Sequence, residues 1–208
     1  MKTIVLPVGP LQENTYIHYD EKTLEAVVVD PGNEPETIID RIKKENLNIK
    51  AILLTHGHFD HIEAVAPLKA RFDVPVAAHQ DEAAILAEST LNFSAFHGSG
   101  ALTLVPDVLL ADGEVFLFGE NELTVLHTPG HTPGGVCYYA VQAGVLFTGD
   151  TLFCEEIGRT DFSYGDMHTL ITVIKSKLLT LPADVRVLPG HGQESTIGHE
   201  KKTNPYLR

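Results

Sequence analysis

Residues 3–8, 14–19 and 25–30 form three short runs rich in β-branched and aromatic side chains and separated by turn-formers, which predicts consecutive strands. Over residues 35–46 the spacing changes: Ile38, Ile39 and Ile42 recur among charges behind Pro35, the pattern of an amphipathic helix. Residues 51–54 read as a buried strand, so the helix is a crossover back to the sheet. Helices over 62–71 and 81–88 and a short strand over 74–77 complete this half. The rest repeats the rhythm, with strands at 115–118, 123–126, 135–140 and 145–148, a helix over 167–179 and a last strand at 185–188. Strands first and a helix later, twice over, predict an α/β (α+β) fold of two mixed sheets packed face to face with helices outside, an αββα sandwich. The loosest stretch, residues 89–100, reads as a loop within one domain spanning 1–208.

Composition narrows the function. With 43% hydrophobic and 21% charged residues the chain can bury a sizeable core. Its 15 Lys+Arg against 28 Asp+Glu give a net charge of −13, which opposes binding to a phosphate backbone or an anionic membrane; no basic run exceeds Lys43-Lys44 or Lys201-Lys202. No apolar run approaches the roughly 20 residues that span a bilayer, and Pro7, Gly9 and Pro10 break the N-terminal apolar stretch before any export-like signal, which favours the cytoplasm. Cys137 and Cys154 read as reduced packing thiols.

The eleven histidines matter for their placement. The strand at 51–54 runs into Thr55-His56-Gly57-His58-Phe59-Asp60-His61, which sets four metal-binding side chains in one irregular turn. Such a turn can aim one pair of ligands at one point and the next pair at another, spacing that suits two neighbouring metals. Three other strand ends each offer one ligand beside glycine: Thr128-Pro129-Gly130-His131-Thr132-Pro133-Gly134, Phe147-Thr148-Gly149-Asp150-Thr151 and Leu188-Pro189-Gly190-His191-Gly192. His127 reads as a core histidine; His18, His79, His97, His168 and His199 lack ligand spacing and read as surface or helix residues.

Together, H-x-H-x-D-H, G-H-T-P-G, T-G-D-T and P-G-H-G resemble the metallo-β-lactamase fold over nearly the whole chain. The resemblance implies a first metal held by His56, His58 and His131, a second by Asp60, His61 and His191, and Asp150 bridging both. It implies two divalent ions, Zn and/or Fe with Mn also suited to the donors. Two such ions set against Asp60 and Asp150 leave a positive centre that activates water and polarises a carbonyl, with Asp60 also assigned to the reaction itself. Asp30, ending the run Val28-Val29-Asp30, is the expected oxygen acceptor behind a metal-binding histidine.

Gly158-Arg159-Thr160-Asp161-Phe162 and the C-terminal Asn204-Pro205-Tyr206-Leu207-Arg208 resemble the glyoxalase II and persulfide dioxygenase branches, the short bacterial glyoxalase II in particular. That implies a thiol-derived small-molecule substrate, a glutathione thioester such as S-D-lactoylglutathione, with Arg159 placed to grip a glutathione carboxylate. Gln193 and Asp161 stand where typical glyoxalases II carry substrate-binding tyrosines, and the chain ends before their helical domain. The alternative is a persulfide dioxygenase holding one Fe(II) through His56, His131 and Asp150. A β-lactamase and a non-catalytic metal-binding module rank below these, since Asp150 occupies a position filled by cysteine in the best-known zinc lactamases. Oligomeric state is left open by the sequence.

Overall fold

A computed structural model describes residues 1–98 and 100–208; residue 99, inside the stretch read as a loop, lies outside the described residues. The first sheet opens with an antiparallel meander, β1 (Lys2–Val8), β2 (Glu13–Tyr19) and β3 (Glu25–Val29). Helix α1 (Pro35–Lys44) then crosses over to β4 (Asn48–Leu53), which runs parallel to β3. Short helices α2 (Phe59–Ile62) and α3 (Val65–Phe72) lead to β5 (Val76–His79), and α4 (Ala83–Ala87) precedes β6 (Val108–Leu110); β4, β5 and β6 are parallel, and the sheet runs β1 to β6 in order.

The second sheet holds β7 (Val115–Phe118), β8 (Asn121–His127), β9 (Val136–Ala140) and β10 (Val145–Gly149), all antiparallel neighbours. A hairpin of β11 (Leu152–Phe153) and β12 (Glu156–Ile157) follows, then α5 (Met167–Val173), continued by π-helical turns over Ile174–Leu178. β13 (Arg186–Pro189) returns parallel to β10, and β14 (Ser195–Thr196) and α6 (Ile197–Thr203) close the chain, giving the order β14-β13-β10-β9-β8-β7.

Strand periodicity decides which layer each side chain enters. Val27, Val29, Ala51 and Leu53 point from the first sheet into the inter-sheet core, where they meet Leu123, Val125, Tyr138, Phe147 and Leu188. Their neighbours Val28 and Ile52 face the other way, onto Ile38, Ile42 and Leu68 of the helices. On the far side of the second sheet Cys137, Leu146 and Val187 pack on Leu170, Ile174 and Ile197. Both faces of each sheet are therefore buried, at about 1.5–3 kcal/mol for each large aliphatic side chain, and the layers run helix, sheet, sheet, helix as the sequence predicts. Among the described residues no helix is long and apolar enough to cross a membrane.

Differences from the expected elements have local causes. The helix expected over 62–71 is split: α2 begins earlier, at Phe59, and the Ala64 amide leaves the helical pattern to reach the Pro31 carbonyl at 3.0 Å. Pro67 then falls in the first turn of α3, where its missing N–H costs nothing. The strand expected at 74–77 starts at Val76, beyond Pro75. β6, β11, β12 and β14 are two or three residues long and too short to show a period. His18 and His79, expected on the surface or in helices, are instead buried strand residues, His18 edge-on to Phe118 and Phe147 and His79 stacked on His127 at 4.0 Å.

Candidate metal centre

The seven side chains picked out in the sequence come together at one rim of the sandwich. His56 and His58 follow the end of β4, with Asp60 and His61 in the first turn that succeeds them. His131 lies on the loop from β8 to β9, Asp150 directly follows β10, and His191 follows β13. Two amides splice these loops together: Gly57 N–H donates 2.8 Å to Glu82 Oε1 and Gly134 N–H 2.8 Å to Glu82 Oε2. Glu82 is fully buried, and burial pushes its carboxyl up to about 7 against the pull of those two amides. Gly190 admits a close approach of two ligands, since a Cβ there would lie 2.4 Å from Asp150 Oδ1 and 2.7 Å from His61 Cε1.

Two donor groups are resolved. In the first, His58 Nδ1 lies 3.1 Å from His56 Nε2 and 3.0 Å from His131 Nε2. In the second, Asp60 Oδ2 lies 3.2 Å from His191 Nε2 and 3.9 Å from His61 Nε2. Asp150 stands between them. Its Oδ2 is 3.6 Å from His131 Nε2, while its Oδ1 is 3.4 Å from His61 Nε2 and 3.8 Å from His191 Nε2.

Each histidine has its other nitrogen held by an oxygen. His131 Nδ1 donates 2.8 Å to the Arg159 carbonyl and His191 Nδ1 3.2 Å to the Leu11 carbonyl. His61 Nδ1 donates 3.0 Å to Asp30 Oδ2, so Asp30 lies where the sequence reading placed an acceptor. Asp30 also accepts from Thr55, at 2.7 Å from the amide and 2.5 Å from the hydroxyl, which leaves the Thr55 oxygen to accept from His56 Nδ1 at 3.2 Å. Tyr164 Oη donates 2.9 Å to the Leu91 carbonyl and so accepts from His58 Nε2 at 2.9 Å. In the neutral imidazoles these partners fix five tautomers, and in every case the other nitrogen faces the centre.

That arrangement fits cations and little else. Imidazole lone pairs meeting at 3.0 and 3.1 Å repel one another unless a positive ion sits among them, and a tetrahedral ion with bonds near 2.05 Å would hold its nitrogens about 3.3 Å apart. His61 Nε2 and Asp150 Oδ1 are both buried without a hydrogen-bond partner, an arrangement that costs about 1–3 kcal/mol per group unless a ligand satisfies it. The charges follow suit. Burial and the neighbouring imidazoles hold His56 well below its ordinary value and His58 at about 3, so these are neutral donors. Burial opposes charge on His61 too, but Asp150 and Asp60 outweigh it and hold that imidazole well above the usual range; Asp60 and Asp150 are themselves drawn down by the histidines despite burial.

Three contributors carry no motif in the sequence. Glu82 and Tyr164 are two of them, and both reach the centre from remote segments. Glu13, at the start of β2, is the third: buried, its Oε1 lies 3.8 Å from His61 Nδ1 and its Oε2 accepts from the Thr15 hydroxyl at 3.0 Å. Burial raises its carboxyl well above the ordinary range. A polar residue at the head of an otherwise buried strand is the one cue to it.

Arg159 lines two cavities that meet at the centre, of about 650 and 520 Å³. Its guanidinium is engaged by Asp161 through two bonds of 2.7 and 2.8 Å and lies 4.6 Å over the Phe162 ring. A substrate carboxylate would therefore share this arginine with Asp161. Cys154 lines the larger cavity, half-buried; Cys137 is fully buried, which pushes its thiol up to about 11.

Comparison with known proteins gives the chain a family. A family model described as the metallo-beta-lactamase superfamily matches residues 8–191. The chain is 39% identical over its full length to the hydroxyacylglutathione hydrolase GloC of Haemophilus influenzae and covers 98% of it. Among solved structures it is similar to BLEG-1, described as a B3 metallo-beta-lactamase, with a TM-score of 0.94 and 42% identity over 99% of both chains. It is also similar to TTHA1623 in a di-iron-bound form, with a TM-score of 0.87 and 39% identity over 98% of this chain and 100% of that one.

Proposed function

The chain belongs to the metallo-beta-lactamase superfamily, and from its centre we propose that it is a dinuclear metal-dependent hydrolase that cleaves the thioester of a small-molecule thiol, with S-D-lactoylglutathione as reference substrate. The observation that carries this reading is the position of Asp150, one oxygen turned to the three-histidine group and the other to the Asp60, His61, His191 group. His56, His58 and His131 would hold one cation, Asp60, His61 and His191 the other. Divalent ions held there would supply Lewis-acid chemistry, making a bound water more acidic and polarising a carbonyl. Zinc and iron both suit these donors, and the di-iron form of TTHA1623 supports iron as an occupant.

The protein's own groups do the rest. Fixed tautomers keep every nitrogen lone pair pointed at the centre, so little reorganisation accompanies turnover. Asp60, deprotonated at neutral pH and open to the cavity, receives the proton of the attacking water. The water oxygen bonds to the acyl carbon, the C–S bond breaks with its electron pair on sulfur, and the proton passes to the departing thiolate. The products are a carboxylic acid and a free thiol. Likeness to GloC supports the thioester class.

The test is an anaerobic assay of thiol release from S-D-lactoylglutathione, run beside oxygen uptake with glutathione persulfide and hydrolysis of a β-lactam. The proposal requires thiol release without oxygen. Oxygen consumption with the thioester untouched would assign the chain to persulfide oxidation by one Fe(II) on His56, His131 and Asp150, and lactam opening alone would make it a lactamase.

A further inference from the structure

Two unlike cavities meet at Asp150 and His191. The larger one has a mixed lining away from the centre, Glu156 and Gln193 beside Phe153, Ile157, Met167 and Tyr206. The other, about 520 Å³, is walled by Leu11, Phe59, Phe93, Phe96 and Phe162, with His58, Asp60 and His131 at its floor. Its rings pack in two groups: Phe162 lies 5.1 Å from both Phe93 and the His58 ring, and Phe59 is stacked on His97 at 3.7 Å. A further cavity of about 450 Å³ extends it past Leu11 and Phe59 to Val8 and Pro10. At the mouth, Phe96 is 71% exposed and Leu11 52% exposed, two large apolar side chains left in water beside the reactive centre.

We infer that this aromatic cleft is the acyl subsite and that the preferred substrate is a thioester of a bulky apolar or aryl-substituted carboxylic acid, with the polar thiol carrier in the larger cavity. The inference rests on the thioesterase reading of the centre and refines it. A thioester has one carbonyl and two arms, and a carbonyl at Asp150 and His191, which together with Arg159 are common to both cavities, sends the arms into opposite ones. The linings sort them. A peptide-like thiol, with amides and carboxylates along an aliphatic chain, suits the mixed lining that holds Gln193, with Arg159 at the boundary, while a phenyl or alkyl group suits the aromatic side chains of the other cavity, where offset and edge-to-face packing add to apolar burial. The lactoyl group, a methyl and a hydroxyl on one carbon beyond the carbonyl, covers neither Phe96 nor Leu11 and brings a polar group to apolar surroundings.

Initial rates measured anaerobically on glutathione thioesters carrying lactoyl, acetyl, hexanoyl and phenylacetyl groups test this, with the purified protein and its Phe96→Ala variant. Because Phe96 is exposed, its truncation spares the core. The expected result is a kcat/KM for phenylacetyl and hexanoyl at least about tenfold above lactoyl, the range that filling an apolar pocket gives. In Phe96→Ala the phenylacetyl-to-acetyl ratio should fall about tenfold. Lactoyl cleaved as fast as phenylacetyl, or a ratio unmoved by Phe96→Ala, would overturn the acyl assignment while leaving the thioesterase reading intact. Failure of all four thioesters would instead defeat that reading, and the inference with it.

Discussion

The two halves of the centre are built to different electrostatic rules. His56, His58 and His131 are all nearly inaccessible, with exposures of 2, 5 and 3%, and burial keeps their imidazoles neutral. Across Asp150, His61 and His191 keep company with Asp60, with Asp30 and Glu13 behind His61, and Asp150 and Asp60 hold both imidazoles above their ordinary values against burial. His191 also keeps 28% of its side chain in solvent. The contrast teaches that one fold rim can make a dry site of neutral nitrogens and a wetter, anionic one a few ångströms apart, and that a single carboxylate suffices to join them.

Asp150 belongs to both halves, so Asp150→Asn should do the most damage, lowering turnover by roughly a thousandfold or more as the bridge loses its charge, measured as thiol release at saturating metal. Next comes acid stability of the metal-free protein, where the halves should show opposite slopes. His58, with its folded pKa at about 3, contributes stability that is present above pH 6.5 and lost as pH falls toward 3, whereas His191, raised, contributes stability that is present below 6.5 and lost as pH rises through its folded value. Denaturant midpoints across pH 4–8 should therefore flatten on the acid side in His58→Gln and on the neutral side in His191→Gln, by up to roughly a few kcal/mol.

Glu82→Ala strikes the first half alone. It leaves the Gly57 and Gly134 amides unpaired, and should cost about 3 kcal/mol in chemical denaturation while loosening His58 from His131. The smallest effects separate the outer partners. Tyr164→Phe frees His58 to take the wrong tautomer and should weaken the first cation about tenfold in chelator competition, while Glu13→Gln should leave that cation unchanged and act only on the second. Equal effects of the two variants on both cations would erase the distinction drawn between the halves.

The layers and the ligands were legible in the sequence for different reasons. Strands such as residues 27–29 and 51–53 are buried on both faces, which reads as an unbroken apolar run, and each run ends in a glycine-bearing turn that carries one or more strong donors. The groups that orient those donors carry no such sign. Tyr164 meets His58 from 106 positions away, and Glu82 joins Gly57 to Gly134 from a 3-10 turn between β5 and α4. Arg159 shows the same limit: its carbonyl holds His131 and its charge meets Asp161, neither of which its place in Gly-Arg-Thr-Asp-Phe announces. Motifs encode donors along the chain, whereas tautomers are set across it.

Metal stoichiometry tests the central claim most directly. Elemental analysis of the purified, metal-loaded protein should give two ions per chain, falling to one in His191→Ala, where His56, His58 and His131 stay intact, with the thermal transition retained. No more than one ion in the unaltered protein, or two retained in His191→Ala, would contradict the account of two joined cation sites.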